Sequence, residues 1–229
     1  MIDESRVTIY ADRIFYFEGI LDNPEYAINM HQVMDEMLNS DTGEVFHKLV
    51  PWQTSDAVPH VYGTKRMTTR ENLESTSNQE VKDFYIKVDS IFDEAGRYYF
   101  EKLGLDYQNG KLMTDYAMFH YNTGQEMGPH VDDNYEPLVD PICTGLIYLN
   151  DDKDGGDLWF PEQDVLIKAV PGSMVIFPCV KPFFHASTKL KQGIKYHIGT
   201  GWKRHRTPAE IEALGPDYGA DAHRGMAME

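Results

Sequence analysis

Two histidines and an aspartate stand at a spacing that could hold a metal ion. His130 and Asp132 are two apart, and His185 follows 53 positions after the aspartate. Two imidazoles and one carboxylate take one face of an octahedral ion and leave the other positions open. That suits an Fe(II) that must bind both a co-substrate and O2. A cage that filled every position would hold the ion and do no chemistry. In an extended segment His130 and Asp132 share one face. His185 lies near the start of a later strand, and in a jelly roll, strands distant in sequence pair side by side. Alone, a His-x-Asp pair is most often a polar turn, so the ordered features around it carry the reading.

Lys195 sits ten residues beyond His185, within Gly193-Ile194-Lys195-Tyr196-His197. If 2-oxoglutarate chelates the ion through its 1-carboxylate and 2-keto oxygens, its 5-carboxylate points inward, where a buried charge must be paired. Lys195 has the placement to pair it. The alternative is an exposed strand lysine. Lys189 and Lys191 read as turn lysines.

The elements that must position these residues change character near Gly110. Before it, helical spacing dominates. Asn23-Pro24 reads as cap and first residue of a helix carrying Ala27, Met30, Val33, Met34, Met37 and Leu38. Ser77 and Glu80 form a capping-box pattern for a longer helix. Its stripe is Val81, Phe84, Tyr85, Val88, Ile91, Phe92, Ala95 and Tyr98, and Gly104 can end it. Both helices are expected to cover one face of a sheet. Residues 52–76, with the polar run around Arg66, read as a long loop that is either a substrate rim or plain surface. After Gly110 come short β-rich runs at 112–121, 143–149, 157–160, 165–170, 174–177, 183–188 and 194–202. That many short strands fit a double-sheet barrel or jelly roll. Thr207-Pro208 could start a short helix. The expected organisation is one domain over 1–229: a helix-rich N-terminal support (1–110) packed on one sheet, a mainly β jelly-roll catalytic core (111–206) and a tail (207–229).

The stretch from Tyr116 to Trp202 resembles the Fe(II)- and 2-oxoglutarate-dependent dioxygenases, specifically the prolyl 4-hydroxylase-like branch. The matching pieces occur in order. Tyr121-Asn122-Thr123-Gly124-Gln125 precedes His130-Val131-Asp132. Thr144-Gly145-Leu146-Ile147-Tyr148-Leu149-Asn150 resembles the next strand, and Gly155-Gly156-Asp157-Leu158-Trp159-Phe160 the glycine turn and strand after it. Pro171-Gly172-Ser173-Met174-Val175-Ile176-Phe177 follows, and His185, Lys195 and Trp202 close the set. The combination covers roughly 90 of 229 residues and is far more specific than any one part.

The resemblance implies that His130, Asp132 and His185 ligate iron. It implies that Lys195 pairs the distal carboxylate of 2-oxoglutarate, that Tyr148 donates its phenol to the same group, and that Tyr121 touches the co-substrate near the metal. For both tyrosines the rival is a buried aromatic whose hydroxyl is satisfied elsewhere. It also implies consumption of O2 and support by ascorbate. The leading substrate is a prolyl residue in a peptide or protein; a free amino acid or another small molecule is the alternative. Trp202 follows Lys195 by seven residues where the family usually shows six. A bulge could absorb the extra residue; a shifted register would instead make His197 a pocket residue. Gly155-Gly156 fits a tight turn needing positive φ, with no phosphate-cradle context around it.

Composition narrows the classes. Hydrophobic residues at 41% and aromatics at 12% of 229 residues read as globular. A net charge of −16 argues against a nucleic-acid partner, whose phosphates need clustered basic side chains. It is compatible with a neutral or basic peptide. Cys143 and Cys179 belong to no CxxC pair and read as small core residues in a reducing compartment. No apolar stretch approaches a membrane span and the N-terminus is not a secretory signal, so a cytoplasmic location is expected. The rivals are a non-catalytic jelly-roll binding module, disfavoured by the intact triad and Lys195, and a cupin-type metal enzyme, which would bring a closer histidine cluster with a glutamate. A nucleic-acid demethylase of the same chemistry should be less acidic and would usually anchor with arginine.

Overall fold

Most of the described strands are short, and Met174–Pro178 is buried on both faces. The computed structural model describes residues 2–21, 50–51, 64–68, 79–107, 112–113, 116–132, 138–150 and 153–214. In chain order these contain a 3-10 turn (Glu4–Arg6), β1 (Val7–Tyr10), β2 (Ile14–Phe17), β3 (Val50–Pro51), β4 (Thr64–Thr68) and helix α1 (Gln79–Lys102). Then come β5 (Leu112–Met113), β6 (Tyr116–Asn122), β7 (Met127–His130), β8 (Val139–Tyr148), β9 (Asp154–Gly155), β10 (Leu158–Phe160) and β11 (Val165–Ile167). The last elements are β12 (Met174–Pro178), β13 (His185–Ser187), β14 (Leu190–Gln192), β15 (Ile194–His205) and α2 (Pro208–Leu214).

The main sheet runs β1-β2-β12-β8-β15-β6-β4-β3, with β5 also pairing β15; a second sheet runs β11-β10-β13-β7, and β14 pairs β9. Side-chain alternation divides the main sheet into two faces. Met174 and Ile176 of β12, Cys143 and Ile147 of β8, and Ile198 and Trp202 of β15 join the cluster that α1 covers. Val175 and Phe177 of β12 and Tyr148 of β8 face inward, where they meet Leu158 and Phe160 of the second sheet. All five residues of β12 are buried, as a strand covered on both sides requires.

Helix α1 buries Phe84, Tyr85, Val88, Phe92, Ala95, Tyr99 and Phe100 on that outer face. The stripe follows the expected spacing, with Tyr99 rather than Tyr98 at its buried end. Its C-terminus closes in a Schellman arrangement: Gly104 has φ +64°, Gly104 N–H donates to Glu101 O and Leu105 N–H to Phe100 O. At α2 the Thr207 hydroxyl accepts from Glu210 N–H while the Glu210 carboxylate accepts from Thr207 N–H, a capping box at the expected place.

The expected helix-rich N-terminal half is corrected. Among the described residues there are two α-helices, α1 and α2, and the N-terminal segments add strands to the main sheet. The reason is local. Ile14-Phe15-Tyr16-Phe17 is a β-branched and aromatic run too short for a helix, and it buries three of four side chains beside β12. The polar run at 64–68, read as loop, instead pairs with β6 from Thr64↔His120 to Thr68↔Tyr116. The helix expected from Asn23-Pro24, the rest of 52–76 and the tail beyond 214 lie outside the described residues.

Candidate functional site

β13 and β7 lie antiparallel with His185 directly opposite His130. Cross-strand neighbours stand about 5 Å apart, so this register brings together two imidazoles that are 55 positions apart in the chain. Their ring centroids are 4.3 Å apart. Asp132 lies just past the end of β7, so the chain can turn its carboxylate between them. Oδ1 lies 3.4 Å from His130 Nε2 and Oδ2 3.5 Å from His185 Nε2. The three ligand atoms lie within 4.8 Å of one another, a spacing one ion can span.

Backbone carbonyls orient both rings. His130 Nδ1 is 2.9 Å from Gly128 O and His185 Nδ1 3.4 Å from Phe183 O. These contacts set the two ring planes and turn both Nε2 atoms toward the carboxylate. Thr144 Oγ1 donates to Asp132 Oδ2 at 2.6 Å. Burial would push the Asp132 carboxyl up, but the flanking His185 and His130 imidazoles outweigh it and hold it well below the usual range. The carboxylate is therefore ionised, and partly open to solvent. Burial pushes His185 down, with Asp132 pulling the other way, which favours the neutral imidazole that can ligate. Phe177 at 4.5 Å and Phe160 at 6.0 Å, centroid to centroid, wall His185 with apolar surface.

Lys195 is 2% exposed and points into the barrel. Its Nζ donates to Ser187 Oγ at 2.9 Å and lies 5.1 Å from the Tyr121 ring centre and 5.5 Å from that of Tyr148. Burial, with the nearby Lys153 charge, pulls it down to about 7, partly offset by Asp157. Among the described residues this ammonium makes no ion pair, and a buried ammonium is suited to pair with an anion. Beside it Tyr148 Oη is buried with no hydrogen-bond partner among the described residues. The Tyr121 hydroxyl contacts Met127 Sδ at 3.6 Å, a weak acceptor. Burial pushes both phenols up, so each keeps its proton and can donate. The donor set and the orphaned phenol fit a chelated metal with a dicarboxylic oxo acid reaching toward Lys195.

Gly155 and Gly156 have φ +82° and +73°, as the tight turn requires. A Cβ on Gly155 would stand 2.3 Å from Lys189 O, and one on Gly156 3.0 Å from Lys195 Cδ, so the second glycine lets backbone close over the lysine stem. The last strand pairs without irregularity from Ile194 to Trp202; its first register shift falls between Trp202 and Lys203. Parity therefore sends Trp202 away from Lys195, against Phe92 of α1 at 6.1 Å, and leaves His197 inside. Thr144 and Ser187 had no signal of their own in the sequence. Small hydroxyl residues on strands are common, and their roles come from neighbours that only folding supplies.

Residues 116–204 match the family model described as the 2OG-Fe(II) oxygenase superfamily. A comparison of the sequence with curated proteins finds no match. Among solved structures, the viral collagen prolyl hydroxylase of Paramecium bursaria Chlorella virus-1, in its 2-oxoglutarate complex, superposes with TM-score 0.54 at 17% identity, covering 85% of this chain and 97% of that one. A Trichoplax adhaerens prolyl hydroxylase, in complex with a peptide fragment of the hypoxia inducible factor oxygen degradation domain, gives 0.56 at 16% identity over 90% and 88%. A Pseudomonas putida prolyl-4-hydroxylase gives 0.52 at 16% over 85% and 93%. At such identities these likenesses speak for the fold. The family model covers the strands that carry the triad and the buried lysine, and the chain shares the fold of these prolyl hydroxylases.

Proposed function

We propose that this chain is an Fe(II)- and 2-oxoglutarate-dependent dioxygenase that hydroxylates a C–H bond, with a prolyl residue in a peptide or protein as the leading substrate. The observation that carries the reading is the convergence of His130, Asp132 and His185, with a buried Lys195 hydrogen-bonded to Ser187 on the strand of His185. In this reading the two Nε2 atoms and the Asp132 carboxylate hold Fe(II), Lys195 and Tyr148 hold the distal carboxylate of 2-oxoglutarate, and Tyr121 lies along the co-substrate. Bound there, the metal would activate O2 so that one oxygen atom enters the substrate and the other enters succinate, with release of CO2. The residues' own work is orientation and exclusion. The Nδ1–carbonyl contacts fix the imidazole planes, Thr144 fixes the carboxylate, and Phe160 and Phe177 keep water from the inner side. Ascorbate is a supporting reductant that keeps the iron ferrous.

The choice of a prolyl peptide rests on the activities named for the structural neighbours, one of which is complexed with a peptide. The net charge of −16 is compatible with a neutral or basic chain as partner. The test is succinate formation by the purified chain with Fe(II), ascorbate and 2-oxoglutarate, in the presence of collagen-like peptides, other proline-containing peptides or free proline. Mass spectrometry of the peptide should show one added oxygen on a prolyl residue. His130→Ala and Asp132→Ala should abolish turnover. Binding of 2-oxoglutarate without succinate under every substrate would make the protein a binding module instead.

A further inference from the structure

His197 follows Lys195 by two positions on β15, so both side chains enter the barrel from one face. It lies opposite Phe119 on β6 and opposite Tyr148 on β8. Its ring stacks on Phe119 with centroids 4.5 Å apart and planes 9° from parallel, and stands 5.8 Å from Tyr121 and 6.0 Å from Tyr148. Gly199, the next inward position, permits that stack: a Cβ there would come within 3.1 Å of Phe119 Cε2. The stack thus holds the plane of the ring.

That Nδ1 is buried with no hydrogen-bond partner among the described residues. Buried polar atoms left unpaired are few in native proteins, because each forfeits its hydrogen bonds to water without replacement. Here two such atoms, His197 Nδ1 and Tyr148 Oη, belong to directly paired residues. The third polar group on the same face is Lys195 Nζ, with three donors and one hydrogen bond, to Ser187. Burial, then the Lys195 and Lys153 charges, hold the imidazole neutral, so it carries one N–H and can donate. These three buried groups lie on one inward face, and among the described residues none hydrogen-bonds to a carboxylate, which describes a seat for one.

We propose that His197 is a third polar contact for 2-oxoglutarate, donating from Nδ1–H to the distal carboxylate beside Lys195 and Tyr148. The inference rests on the co-substrate reading given above, and it makes His197 a binding residue particular to this chain. A flat imidazole held against Phe119 would also limit the depth of the seat, favouring a five-carbon dicarboxylic oxo acid over a longer one.

The experiment measures binding without turnover. The protein is loaded with Mn(II) in place of Fe(II), and 2-oxoglutarate and pyruvate are titrated calorimetrically into wild type, Lys195→Ala, His197→Leu and His197→Asn. Pyruvate offers the same chelating end and no distal carboxylate. Losing a hydrogen bond to a charged group should weaken 2-oxoglutarate about tenfold or more in His197→Leu. His197→Asn, which keeps an amide N–H near the Nδ1 position, should stay within about threefold of wild type. Affinity for pyruvate and for Mn(II) should not change. In wild type, nitrogen-resolved NMR should show the His197 Nδ1–H protected from exchange on adding 2-oxoglutarate, a readout that needs no variant. If Lys195→Ala loses affinity while both His197 variants bind like wild type and no such signal emerges, the His197 contact is refuted and the co-substrate reading stands. If wild type itself binds no 2-oxoglutarate, both fall.

Discussion

Lys195 is the side chain whose surroundings cost most and explain most. Its ammonium is buried, short of a counter-ion and drawn down to about 7, so near neutral pH the free site is only partly charged. A carboxylate placed beside it favours the charged lysine, which takes up a proton on binding. Affinity for 2-oxoglutarate should therefore fall as pH rises above about 7, and calorimetry in buffers of different ionisation enthalpy should report net proton uptake on binding. Lys153 and Asp157, which face the same group, act in opposite directions and both belong in the control set. Lys195→Ala should weaken 2-oxoglutarate by about 2–4 kcal/mol, since the lost partner leaves a buried carboxylate unpaired; unchanged affinity would remove the assignment. At the metal end, Thr144→Val keeps shape and removes the hydrogen bond to Asp132. Loss of such an orienting partner should weaken metal binding by roughly 10–100-fold, measurable by competition with a chelating dye, while the far-UV spectrum stays unchanged.

At the scale of elements, the contact between α1 and β15 sets the register on which the pocket depends. Trp202 lies fully buried between Gly96 of α1 and Gly145 of β8, and a Cβ on either glycine would stand 2.8 Å from the indole. Glycine inside a helix usually costs about 1 kcal/mol relative to alanine, so Gly96→Ala should stabilise the protein if propensity were the whole account. The opposite is expected. A methyl group at Gly96 would overlap the buried indole, and overpacking of about 1–3 kcal/mol should lower the unfolding midpoint. A raised midpoint would show that the helix can slide. The same contact explains the seven-residue step from Lys195 to Trp202. An odd step in an unbroken strand puts the two side chains on opposite faces, and the indole then serves the helix rather than the pocket. On the inward side, His197 is followed by Gly199 and Gly201, two positions without side chains.

For the whole molecule, the ligand cluster joins the end of β7 to the start of β13, and Thr144 of β8 in the main sheet holds its carboxylate. An ion bound there by the folded chain alone should stabilise it by about 2.7 kcal/mol at a hundred times Kd, and so raise the unfolding midpoint. Mn(II) should shift the melt upward, and His185→Ala should remove the shift; a shift that survives that substitution would place the ion elsewhere. Much of this was legible in the linear chain. His130, Asp132, His185 and Lys195 could be named because their residue types are chemically narrow and their order is specific. The α1 stripe, the glycine turn and the Thr207 cap could be named because they depend on neighbours a few residues away. Other features escaped. Ile14–Phe17 and residues 64–68 carry no period long enough to read, and they became strands because β12 and β6 offered open edges. Thr144, Ser187 and the orphaned nitrogen of His197 carry no local signature at all. What each side chain faces depends on strand pairing between segments tens of residues apart, and a change of one residue in that register would turn every one of them to the other side.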